Sequence, residues 1–215
     1  MFLRTETVVN EQENLAMLEN PRPLKVAVIV GSVREGRFGA VVSRWFAAQT
    51  AGRTDMTVDV VDLADVPLPL VLPAYGGTPS PETVRALAGL SPRLDTADAF
   101  VVITPEYNHS FPASLKNVID WHQREWHAKP VGFVSYGGLS GGLRAIEQLR
   151  IVFAEVHAVT IRDTVSFHNA WGGFDPENPA TGPAGCESAA KTMLDQLAWW
   201  AHALRDAKTG RPYAA

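Results

Sequence analysis

Short apolar runs alternate with amphipathic stretches along most of the chain. Residues 24–30 (LKVAVIV) are almost all apolar and β-branched and stop at Gly31, the pattern of a parallel strand buried on both faces. Beyond GSVREGR, the residues Phe38, Val41, Val42, Trp45 and Phe46 recur at helical spacing and predict a helix. Residues 57–63 (TVDVVDL) alternate and predict a second strand, followed by a long Pro- and Gly-rich loop over residues 64–81. A helix is expected over residues 81–94, with an interruption near Pro92. A third strand is expected over residues 99–103, ended by Thr104-Pro105, and a helix over residues 114–126. A fourth strand is read over residues 131–135, and a helix over residues 141–153 with Leu143, Ile146, Leu149 and Phe153 on one face. The fifth strand is read over residues 157–161, a loop over 164–185, and a last helix over 187–205.

Five short apolar strands alternating with helices imply a parallel sheet covered on both faces, and right-handed crossovers leave few topologies. The strand order 2-1-3-4-5 of a flavodoxin-like α/β sandwich is the expected one, and it places a ligand at the carboxyl ends of strands one, three and four. No internal repeat or boundary divides the chain, so one domain is expected over residues 23–207, with a flexible arm at 1–22 and a tail at 208–215. The first residues do not read as a signal peptide: their apolar runs are short, and Glu6, Glu11 and Glu13 stand where a basic region would be. No run of about 18 apolar residues predicts a membrane span. The formal charge of −4 leaves no basic surplus for nucleic acid or an anionic membrane. The single cysteine, Cys186, excludes an internal disulfide and fits a reducing cytoplasm.

Three loops carry the candidate chemistry. The first, GSVREGRFG (31–39), joins a buried strand to an amphipathic helix. A helix start exposes free N–H groups and the positive end of a dipole, and Ser32, Arg34 and Arg37 add donors and charge, so a phosphate is expected there. Gly31 and Gly36 have the glycine spacing of a nucleotide P-loop, but Arg37 and Phe38 replace its lysine and hydroxyl, which argues against ATP or GTP hydrolysis. The dinucleotide fingerprint GxGxxG is absent as well. The second loop, beginning TPEYNHSFP at Thr104, is stiffened by Pro105 and Pro112 and offers Tyr107, His109 and Phe111 as flat surface. The third, SYGGLSGG from Ser135, has four glycines within six residues, which suits close backbone approach, and Tyr136 is a candidate stacking partner. A phosphate cradle beside two such loops suits a mononucleotide with a large planar head. His122 and His127 are five apart, no HExxH or GxSxG motif occurs, and Cys186 has no nearby base, so neither a metal site nor a catalytic nucleophile is expected.

GSVREGR, PEYNHSFPASLKNVID and SYGGLSGG resemble the NADPH-dependent FMN reductase family, with its related quinone, azo-dye and chromate reductases. The resemblance runs over residues 24–204, and the PEYN…LKN.ID block is its most specific part. It implies that Ser32 and Arg34 hold the FMN phosphate, although the family often has serine and asparagine where this chain has Arg37 and Gly39. It implies that Pro105, Glu106, Tyr107 and Asn108 run along the isoalloxazine, largely through backbone, and that Ser135, Tyr136, Gly137 and Gly138 meet its pyrimidine end. It further implies a cytoplasmic homodimer whose contact is bordered by the segments of Trp121, Trp126 and Trp171. The cofactor then does the chemistry, passing hydride from NADPH or NADH to a flavin, quinone or similar acceptor in ping-pong order, with no catalytic side chain required. A flavodoxin-type electron carrier and a flavin-binding regulatory module remain the alternatives at this point.

Overall fold

A computed structural model describes residues 22–175, 178 and 180–214. The arm expected over residues 1–22 lies, but for Arg22, outside the described residues. The strands are β1 (Leu24–Val30), β2 (Met56–Asp62), β3 (Ala99–Pro105), β4 (Pro130–Tyr136) and β5 (Val159–Phe167). They form one parallel sheet of order β2-β1-β3-β4-β5, the flavodoxin-like arrangement. The helices are α1 (Gly39–Thr50), α2 (Pro81–Asp95), α3 (Ala113–Trp121), α4 (Leu143–Glu155) and α5 (Cys186–Gly210).

Alternate residues of β1 explain why its run is apolar beyond the exposed Lys25. Val26, Val28 and Val30 face α1 and α5, packing with Trp45, Phe46, Met193 and Leu197. Ala27 and Ile29 face the other layer, with Leu90, Leu115, Ile119 and Phe153 of α2, α3 and α4. From Val26 onward the strand is covered on both faces and has no position left for a polar residue.

Several elements differ from the sequence reading, each for a physical reason. β5 runs to Phe167 rather than ending at Ile161. It is an edge strand, and between Val131 and Phe133 of β4 its register advances from Thr160 to Thr164, so a bulge carries polar residues out of the ladder. Arg150 covers the bulge by donating to the carbonyls of Ile161 (2.6 Å) and Arg162 (2.9 Å), which also blunts the edge. Pro92 does not interrupt α2. It lies in the last turn, and the carbonyl it leaves without a donor belongs to Ala88, an exposed residue.

Helix α3 stops at Trp121, and residues 124–126 form a separate 3-10 turn that swings Trp126 into the core. There the Trp126 ring is fully buried against Phe100 and Phe153, so it is a packing residue and borders no surface. His122 is buried too, bonded to Ser91 and to the Val118 carbonyl. The last helix continues five residues past Arg205, to Gly210.

Candidate functional site

The register brings three strand ends to one level: Val30 pairs with Ile103, Ile103 with Val134, and Pro105 with Tyr136. Two further bonds continue the ladder into the loops, Gly31 N–H to the Ile103 carbonyl (2.9 Å) and Glu106 N–H to the Tyr136 carbonyl (3.3 Å). The three loops therefore leave the sheet side by side and enclose an open cleft of about 730 Å³. Arg34 and Arg37 line it from the first loop, Pro105, Glu106, Tyr107 and Asn108 from the second, and Tyr136, Gly137 and Gly138 from the third. Ser32 and Ser135, also singled out in the sequence, are fully buried behind it.

The first loop is rich in free donors. Among the described residues, the backbone N–H groups of Ser32, Val33, Arg34, Glu35 and Gly36 have no acceptor. Helix α1 follows directly, with Phe38 at its N-cap and no side chain capping it. Gly36 has φ +64°, the left-handed turn that favours glycine. Gly31 is glycine for another reason: a Cβ there would come within 2.6 Å of the Leu115 side chain, so the small residue lets α3 pack close. Ser114 of α3 also donates to the Gly31 carbonyl. The Ser32 hydroxyl bonds the Tyr107 hydroxyl at 2.7 Å and ties the first loop to the second. Arg37 reaches sideways to Asp62 at the end of β2 (2.6 Å), leaving its Nε buried without a partner. Arg34 is exposed and its guanidinium is unpaired among the described residues.

The second loop is a tight hairpin. Tyr107 and Ser110 exchange backbone bonds of 2.8 and 3.0 Å, and Asn108 and His109 both take positive φ (49° and 75°). Helix α4 clamps this turn, with Gln148 donating to the His109 carbonyl at 2.9 Å. Glu106 links the second loop to the third. Its carboxylate, 6% exposed, accepts from Ser140 Oγ (2.8 Å) and pairs with Arg144 (2.5 Å). Burial alone would raise the Glu106 pKa, but the bonds from Ser140 and Arg144 and the Arg144 charge outweigh it and hold the carboxyl below its usual range.

In the third loop Gly141 and Gly142 have positive φ (61° and 87°). A Cβ on Gly142 would sit 2.7 Å from that of Ser135, whose hydroxyl donates to the Gly141 carbonyl at 2.7 Å. Gly137 and Gly138 present backbone to the cleft, and the Gly138 position has nothing closer than the Trp171 ring, 3.9 Å away. Tyr136 is 3% exposed, its ring packed against Phe38. Its hydroxyl is buried without a partner, and burial pushes its pKa up. The sequence reading missed Ser114, Ser140, Arg144 and Asp62, whose roles come from contacts distant in sequence. It also missed Trp171 as a lining residue of the cleft. Among the described residues no three His, Cys, Asp or Glu side chains could hold a metal ion.

Glu106→Ala should lower stability near neutral pH by about 1–2 kcal/mol, a value discounted for the half-exposed Arg144. Because the folded pKa of Glu106 is depressed, its contribution is full above the unfolded carboxylate value and disappears as pH falls through the folded one. Urea unfolding near neutrality and at about pH 3 checks this: the gap between variant and wild type should close in acid. A gap that is constant with pH contradicts the clamp.

The sequence profile of the NADPH-dependent FMN reductases matches residues 24–172. An NAD(P)H-dependent FMN reductase of Schizosaccharomyces pombe is 37% identical over 123 residues, which cover 55% of this chain and 60% of that protein. A rice protein named "Probable NADPH:quinone oxidoreductase 2" is 30% identical over 207 residues, 91% of this chain and 98% of its own. The flavoenzyme NAD(P)H:(acceptor) oxidoreductase FerB of Paracoccus denitrificans shares the fold, with a TM-score of 0.62 at 22% identity over 85% of this chain and 98% of that one. With the profile spanning the sheet and all three loops, the chain belongs to the NADPH-dependent FMN reductase family of flavin oxidoreductases.

Proposed function

We propose that the cleft holds FMN, its phosphate on the 31–39 loop, and that the protein uses NAD(P)H to reduce a quinone, a flavin or a similar acceptor. The observation that carries this reading is the run of unbonded N–H groups over residues 32–36 ahead of the uncapped α1 N-terminus, in a loop whose residues 34–38 line the cleft that the other two loops also line. Arg37 is already paired with Asp62, so the unpaired Arg34 is the residue we assign to the phosphate charge. Tyr107, fixed by Ser32, and the hairpin at Asn108 hold one wall in place, while Gly137 and Gly138 offer backbone donors on the other. Relatives named as quinone reductases support a quinone as acceptor.

Bound FMN supplies the two-electron chemistry between NAD(P)H and the acceptor. What remains for this chain is to bind, orient and exclude. Glu106 is committed to Ser140 and Arg144, and the Tyr136 hydroxyl is buried, so neither is placed to relay a proton in the open cleft. All three loops line one cleft, which leads us to assign donor and acceptor to the same opening and a ping-pong order with the two substrates entering in turn. Anaerobic NADPH should bleach the flavin absorbance of the holoprotein before any acceptor is added, and initial-rate lines at several acceptor concentrations should be parallel. Flavin that NAD(P)H leaves oxidised would instead identify an electron carrier or a binding module. Intersecting lines would mean that both substrates bind together.

We also propose a cytoplasmic homodimer. No helix among the described residues is long and apolar enough to cross a membrane. Leu70, Val71 and Tyr75 are exposed on the loop after β2, and that loop is bonded to α3 through Trp121 Nε1 and the Pro69 carbonyl (2.8 Å). An apolar surface of this kind is suited to a second copy. Sedimentation equilibrium at assay concentrations should give twice the chain mass, and a fully active monomer rejects this assembly.

A further inference from the structure

The rings that the sequence offers to a ligand are mostly committed to the fold. The Tyr107 hydroxyl is held by Ser32, Tyr136 is buried, and Phe38 packs edge-on against Phe174 at 5.4 Å. Trp171 is different. It lines the same cleft, is 67% exposed, and among the described residues has no ring partner and no acceptor for its indole N–H. Trp199, about as exposed, meets Trp200 edge to face at 5.2 Å and is not comparable.

The backbone under Trp171 is fixed. It sits on the 3-10 turn at residues 170–172, which hangs from the third loop by Asn169 N–H to the Gly138 carbonyl (2.9 Å) and Ala170 N–H to the Gly137 carbonyl (3.1 Å). Ala170 is fully buried, and Asn169 takes the left-handed conformation (φ 46°) needed to start the turn. In the single chain a large aromatic surface is thus left uncovered on a rigid support beside Gly138, at the cleft and in a segment that the family resemblance sets at the border of the dimer contact. Exposed aromatic area of this size is unfavourable in water and favourable against another π-face.

We propose that Trp171 is a specificity-determining residue that selects planar, ring-shaped electron acceptors by stacking, over compact inorganic ones. The inference rests on the flavin-reductase reading of the cleft and names the substrate class of that site. The exposure of the indole suits a ligand that comes and goes, whereas the resident cofactor is assigned to the loop backbones.

The test uses oxidised holoprotein without any donor, so that binding is read without turnover. Calorimetric titration with 1,4-naphthoquinone-2-sulfonate should show affinity about tenfold weaker for Trp171→Ala and within about threefold of wild type for Trp171→Phe. In steady state, the preference of Trp171→Ala for this quinone over ferricyanide should fall by a similar factor, about tenfold. FMN affinity, followed by flavin fluorescence, should stay within about twofold in both variants. Unchanged quinone affinity in a folded Trp171→Ala protein overturns the inference. So does an equal loss of FMN affinity, which would place Trp171 in the cofactor site, or a loss confined to NADPH binding. Wild-type protein that binds no FMN would overturn the flavin reading itself, and that result is available before any variant is made.

Discussion

The level ending of β1, β3 and β4 is the constraint on which the rest depends. A parallel sheet sets all its carboxyl ends along one edge, and the pairing of Val30 with Ile103 and of Ile103 with Val134 sets those ends level to within a residue or two. Shifting one strand would separate loops that are about 30 to 100 positions apart in sequence and dissolve the cleft. The register in turn is fixed by burial. β1, β3 and β4 are apolar on both faces, and a one-residue slip would exchange the contents of two differently shaped cores.

Once the loops emerge together, side chains and backbone divide the work. Ser32 with Tyr107, Glu106 with Ser140 and Arg144, Ser135 with Gly141, and Arg37 with Asp62 all bind one loop segment to another or to a strand end. Ser32 and Ser135 are buried and most of the others half-buried, and bonding to one another they rigidify the site. The surface left for a ligand is largely main chain: the unbonded N–H groups of residues 34–36 and the backbone of Gly137 and Gly138. Such a surface suits a cofactor that carries its own reactivity, because it orients the cofactor without adding a competing acid or nucleophile.

The sheet was legible because buried parallel strands leave an unbroken apolar signature, clear in Leu24–Val30 and in the residues 99–103 of β3. The same logic hid the second half of β5, where an edge position and a bulge admit Arg162 and Asp163. The three loops were legible as a set from glycine, arginine and the PEYN segment, and nine of the eleven residues singled out line one cleft. What could not be read was how each residue is used. Gly31 stood out for its P-loop-like spacing from Gly36 and is a packing glycine under Leu115. Trp126 was expected on a helix running to residue 126 in a segment bordering the dimer contact, but α3 ends at Trp121 and the chain turns the ring into the core. Trp171 was read only as bordering a dimer contact, because nothing local marks which residue of a loop of glycines and prolines is hung from Gly137 and Gly138 beside the cleft.

The central claim is that the first loop is a phosphate site serving a mononucleotide, and paired titrations of the apoprotein with FMN and with riboflavin test it most directly. The two ligands share a ring system and differ in the phosphate alone. FMN should bind at least about tenfold more tightly, since a charge-assisted contact contributes about 1.5–3 kcal/mol, and Arg34→Ala should narrow the difference. Riboflavin binding as tightly as FMN would contradict the account, because the free N–H groups and the unpaired arginine would then have no part in holding the ligand.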